Sequence, residues 1–144
     1  MTLNKKEYNN YEEIKVDYIQ IAQNLQNNII ELDSVIEQIL SNDALSDQEV
    51  YNLLNDHLNK IKNAYTDFES IANDSLDMID AELEILEDFA LSECYDKLLY
   101  FNEEKDQINK EIDCLTEYFD NAKSLVEKYT KQYDNNQDVE LGQE

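Results

Sequence analysis

Apolar side chains recur along this chain at alternating intervals of three and four, the period of a helix that buries one face. From about Lys5 to Leu40 one row holds Tyr11, Tyr18, Leu25, Leu32 and Ile39, seven residues apart. Ile14, Ile21, Asn28 and Val35 form the companion row, flanked by Ala22, Ile29 and Ile36. A seam kept for four heptads predicts a single rod, about 54 Å long at 1.5 Å per residue. Ser41-Asn42-Asp43 then interrupts it with side chains that compete for the backbone's hydrogen bonds.

Ser46-Asp47-Gln48-Glu49 has the spacing of a capping box just before Val50. The Ser46 hydroxyl is expected to accept from the Glu49 amide, and the Glu49 side chain to reach back to the Ser46 amide. A second helix follows through Tyr51, Leu54, Leu58, Ile61, Tyr65, Phe68 and Ala72. Its phase slips once, at Phe68, Ala72 and Leu76, and resumes through Ile79, Leu83, Leu86 and Ala90. Such a slip is a stutter in one helix or a break between two, and Asn73-Asp74-Ser75 stands there as a possible cap.

The last segment is the most regular. Cys94, Leu98, Phe101, Lys105, Ile108, Ile112, Leu115, Phe119, Ala122, Val126, Tyr129 and Tyr133 step by four and three without error. One helix from about Ser92 to Asp134 is predicted, because an unbroken phase survives a turn only by chance. It would hold Cys94 and Cys114 about 30 Å apart. The fold expected is all-α: an antiparallel bundle of three long helices with coiled-coil-like seams, or four if the slip at Asn73 is a turn. Breaks are expected near 41–46 and 91–93. Residues 1–134 form one helical-bundle domain in this reading, with 135–144 a polar, disordered tail.

Composition narrows the chemistry. The 144 residues carry 34 Asp and Glu against 11 Lys and no Arg, for a formal net charge of −23. A chain so acidic cannot hold nucleic acid by neutralising phosphates. One Gly and no Pro leave no phosphate-cradling loop and little material for an all-β fold. With a single His, most His-based triads and multi-His metal sites are excluded. Two cysteines make no disulfide framework, no apolar run has the length of a membrane span, and the first residues lack a secretory pattern. A cytoplasmic location follows as an expectation, and the Asn, Ile and Lys usage suits an AT-rich genome.

No nucleophile with its base, metal set or cofactor loop can be assembled, so a non-enzymatic protein without cofactor is expected. His57 lacks the Glu three residues earlier that a di-iron bundle uses, and Asp134–Asp138 lacks the Gly and closing Glu of a calcium loop.

What stands out is charge. Between Lys62 and Lys97 lie 11 carboxylates and no basic side chain. Asp74, Asp77, Asp80, Glu84, Glu87 and Asp88 fall on one arc of a helix, away from the stripe of Leu76, Ile79, Leu83 and Leu86. Neighbours three and four apart lie about 5–6 Å from each other, comparable with successive phosphates on a strand. The leading expectation is an acidic binding protein that mimics nucleic acid. It would block a basic nucleic-acid-handling protein, as phage-encoded inhibitors of host defence do, in the host cytoplasm if phage-encoded.

Against this stands the plain alternative that acids merely solvate an exposed face. A second function class is an adaptor bundle that takes a partner helix on its apolar seams or on Leu98-Leu99-Tyr100-Phe101. Leu99 and Tyr100 would be its contact residues, and a homodimer through the long seams belongs to the same class. Tyr95, Tyr100 and Tyr118 are the tyrosines expected to be exposed. A third reading is a secretion-associated helical protein, on the strength of Tyr65 and Glu69 at export-signal spacing.

Overall fold

The computed structural model describes residues 7–89 and 91–142, with side-chain surroundings for 7–89 and 94–131. Three helices, α1 (Tyr11–Ser41), α2 (Asp47–Glu87) and α3 (Leu91–Gly142), pack together in an all-α bundle. No strand occurs among the described residues.

Helix α1 starts later than the apolar pattern suggests, because Asn10 caps it. The Asn10 side-chain oxygen accepts from the Glu13 amide at 3.1 Å, and Glu13 Oε1 accepts from the Asn9 amide at 3.0 Å. That satisfies two backbone donors that would otherwise be left over at a helix start. At the other end the Ala44 amide donates to Asn42 Oδ1 at 3.1 Å, turning the chain toward α2. The box at Ser46 forms with one change. Ser46 Oγ accepts from the Glu49 amide at 3.1 Å as expected, but Glu49 Oε1 receives the Ser46 hydroxyl, at 3.2 Å, in place of the amide.

Among the described residues the bundle has three helices, not four. Helix α2 passes unbroken through Asn73-Asp74-Ser75, and Ser75 is fully buried with its hydroxyl donating to the Ile71 carbonyl at 2.7 Å. The hydroxyl is thus satisfied inside the helix, and ending the helix there would forfeit burial on either side. Ala72 and Ser75, both fully buried, sit where the phase slips. Their small side chains let the buried stripe move round the helix without prying its neighbours apart. Helix α3 likewise runs on to Gly142, past Asp134, where the polar pattern suggested a tail. Residues 135–141 are mostly polar but contain no Pro and no Gly, and polarity alone costs a helix only a few tenths of a kcal/mol per residue.

Helix α2 is the middle element, antiparallel to both neighbours. Its α1 side brings Phe68 to Tyr18 (ring centroids 5.9 Å apart) and His57 to Asn28. On its α3 side Tyr65 stacks on Phe119, 4.2 Å between centroids and 4° between planes. Leu25, Leu54, Ile61, Phe68, Ile79, Ile108 and Val126 are the buried centre. Seven residues back from Tyr18 is Tyr11, and seven on from Phe68 is Ser75, so α1 begins beside Ser75. Past that level Leu76–Glu87 and the start of α3 continue as a two-helix arm, about 18 Å long at 1.5 Å per residue, with Tyr11 and Glu12 of α1 reaching its base at Phe101 and Tyr100.

Candidate functional site

The arm concentrates charge. Between 76 and 101 the sequence has eight carboxylates and one lysine. Ile79 and Leu86 are buried, which fixes the rotation of α2. Asp77, Asp80, Glu84, Glu87 and Asp88 consequently point outward, and all five are exposed. Among the described residues one lysine meets this arc: Lys105 Nζ lies 2.8 Å from Asp80 Oδ1. Lys105 is thereby explained as the polar intruder on the α3 stripe. Asp74 is half-buried at the edge of the arc, near enough to Tyr8 to help push that phenol's pKa up to about 12, behind burial and the hydrogen bond to Asp17. Five of the six acids thus share an open surface and Asp74 sits at its margin.

The opposite side of the arm is acidic too. Glu12, Glu82 and Asp96 line a shallow cleft of about 350 Å³ together with Lys97, Tyr100 and Phe101.

The Leu98–Phe101 run is divided. Leu99 is exposed, whereas Leu98, Tyr100 and Phe101 are half-buried. Of the three tyrosines expected at the surface, Tyr95 and Tyr118 are exposed and Tyr100 is not. The reason is a polar seam that joins α1 to α3. Tyr100 donates to Glu12 Oε1 at 2.8 Å and accepts from Lys15 Nζ at 3.2 Å. Lys15 also pairs with Glu104, whose Oε1 accepts the Tyr11 hydroxyl at 3.0 Å. One heptad along, Tyr18 donates to Glu111 Oε2 at 3.2 Å.

Electrostatics in this seam follow from its geometry. Burial would raise the Glu104 pKa, but the hydrogen bonds from Lys15 and Tyr11 outweigh it and hold the carboxyl below its usual range. Burial, then the neighbouring carboxylates, push the Tyr11 and Tyr18 phenols well above their ordinary range. Lys15 and Glu104 were not singled out from the sequence. The signal was there: Tyr11 and Tyr18 are one heptad apart on α1, and Glu104 and Glu111 one heptad apart on α3, as two parallel helices in register require.

His57 is buried, and its Nε2–H donates to the Asn28 carbonyl at 2.8 Å, a packing role between α1 and α2. Cys94 is buried and Cys114 exposed, on one continuous helix. Among the described residues no group of three His, Cys, Asp or Glu side chains is placed to hold a metal ion, and no helix is long and apolar enough to cross a membrane. No family model, curated protein or solved structure matches the chain.

Proposed function

We propose that this chain is a non-enzymatic binding protein that acts by occupation, its acidic arm filling the basic groove of a nucleic-acid-handling protein in place of nucleic acid. The observation behind this reading is the open arc of Asp77, Asp80, Glu84, Glu87 and Asp88 on the side of α2 opposite Ile79 and Leu86. A face meant only for solubility is commonly of mixed sign, with Glu and Lys four apart supporting the helix. Here the lysines are missing and like charges repel, so the arm is kept acidic at a cost to its own helix. A rigid row of carboxylates offers a basic groove what a phosphate backbone offers, and draws the partner in over long range. The setting is the cytoplasm, that of the host if the chain is phage-encoded.

The test replaces Asp77, Glu84, Glu87 and Asp88 by Lys together, leaving Asp80 to hold Lys105. Circular dichroism first establishes that the variant is folded. Wild-type protein is then used as bait in a low-GC bacterial lysate, washed at low salt and eluted at high salt. Basic nucleic-acid-handling proteins are expected to elute with salt from the wild type and to be absent from the variant. Equal capture by the folded variant, or capture that salt does not reverse, rejects the proposal.

A further inference from the structure

Helix α1 has a second seam, on the side turned away from the core. Ile19, Gln23, Gln26 and Ile30 follow each other at intervals of four, three and four, and all are exposed, Ile19 at 51 % and Ile30 at 59 %. They lie within Tyr18–Ile30, thirteen residues without a charged side chain, the longest such stretch in a chain of net charge −23. We propose that this seam pairs antiparallel with the same seam of a second copy of the chain.

Three features select that occupant. The first is charge: two molecules this acidic repel almost wherever they touch, and the uncharged stretch is where they can approach closely. The second is self-complementarity. With the two α1 helices antiparallel and centred between Asn24 and Leu25, Ile19 meets the partner's Ile30, and Gln23 meets the partner's Gln26. The primary amides can exchange hydrogen bonds, and a contact of this kind is the same patch on both copies, as a two-fold dimer requires.

The third feature is register. Sliding by one heptad in either direction would set Ile19 against Gln23 or Gln26 against Ile30, so the amide pair fixes the alignment, at the cost of Glu12 facing the partner's Glu37 at each end, a repulsion that salt screens. A parallel pairing would instead oppose Glu12, Asp33 and Glu37 to their own copies and align the helix dipoles unfavourably. Beside Ile30 the helices α1 and α3 part to leave a cleft of about 410 Å³, walled by Ile29, Leu115, Tyr118 and Leu125. This apolar flank extends the contact beyond the seam.

Sedimentation equilibrium of the full chain at low and high NaCl tests the proposal. The expected result is a monomer of 17.0 kDa in equilibrium with its dimer, with association strengthened by salt because screening relieves the repulsion. Ile19→Glu and Ile30→Glu should each weaken dimerisation by roughly tenfold or more, because a carboxylate would be buried unpaired. Both sites are exposed in the monomer, so the thermal melt should hardly move. In a Cys114→Ser background, a mixture of Gln23→Cys and Gln26→Cys chains should cross-link faster than either alone. A monomer at every salt concentration, a dimer indifferent to both Glu substitutions, or faster cross-linking of Gln23→Cys with itself overturns it. Salt acts oppositely on the acidic arm's binding to a basic partner, so either idea can fail without the other.

Discussion

Glu104→Ala should be among the most damaging single changes outside the apolar core. Glu104 accepts the hydroxyl of Tyr11, which is 2 % exposed, and pairs with Lys15, whose side chain is 31 % exposed. Removing the carboxylate leaves the Tyr11 hydroxyl buried with no acceptor, a loss of about 1–3 kcal/mol. Lys15 can turn to water and keeps its contact with Tyr100, so its share is the small value of a partly exposed pair, about 0.5 kcal/mol. Together these give about 1.5–3.5 kcal/mol, or a fall in Tm of about 3–14 °C for a chain of this size.

Thermal and urea unfolding, followed by helical circular dichroism, measure this loss. Tyr11→Phe is the matching change, for it deletes the donor while keeping the ring against Phe101. It should cost about 1 kcal/mol alone but recover about 1 kcal/mol once Glu104 is gone, because it then removes the unpaired hydroxyl, a coupling of about 2 kcal/mol in the double-mutant cycle. Additive losses, or a Glu104→Ala variant within about 0.5 kcal/mol of wild type, would show that the seam between α1 and α3 is decoration.

Other outcomes follow from the same packing. Phe68→Ala removes a fully buried ring facing Tyr18 and should cost about 3–5 kcal/mol; a loss below about 2 kcal/mol would mean the site collapses freely. At high pH the phenols decide. Tyr8 is pushed up to about 12 and Tyr11 and Tyr18 higher still, whereas unfolded phenols ionise near 10. Their stabilising contribution is therefore complete below about pH 10 and lost as pH rises toward the folded values. A titration at 295 nm with circular dichroism alongside should show phenols that ionise only as helicity falls. Ten tyrosines ionising near pH 10 with helicity intact would refute this. Finally, native protein should expose one reactive thiol, Cys114, with Cys94 reacting on unfolding; equal labelling rates would contradict the burial.

The local signals that could be read from the sequence were those whose partners are close along the chain. Ser46 and Glu49 complete their own box, so the start of α2 was legible, and the stripe through Ile108, Leu115, Ala122 and Val126 named the buried face of α3. The start of α1 was not, because Tyr8 continues the apolar spacing while Asn10 ends the helix by a cap that spacing does not register. Ser75 looked like a cap since a serine's local options include turning out of a helix; only the packing around Ala72 decides that it turns back to Ile71. Tyr100 looked exposed because its helix position is ambiguous until α1 is placed beside it. Lys15, Glu12 and Glu104 then claim its hydroxyl and ring. The acidic arc was readable as an arc, since helical rotation alone puts Asp77, Glu84 and Asp88 opposite Ile79. Its projection past the start of α1 was not, because that depends on the register between helices.

That projection links stability to function. Lysines stand where helices need joining: Lys15 ties α1 to α3, and Lys105 ties α3 to α2 through Asp80. Beyond Asp80 no further lysine meets the arc among the described residues, and α1 reaches that end through Glu12, which lines a cleft with Glu82 and Asp96. The arm is held by Ile79, Leu83, Leu86 and Cys94 against the repulsion of its own acids. It should be the first part of the bundle to open at low salt, visible as early amide exchange over 80–101 that slows on adding NaCl. A basic partner seated on the arc would supply the missing cations and slow exchange in the same residues. If 80–101 proves as protected as the centre around Ile61 at low salt, the repulsion is too weak to matter, and the case for an acidic face maintained at a cost falls with it.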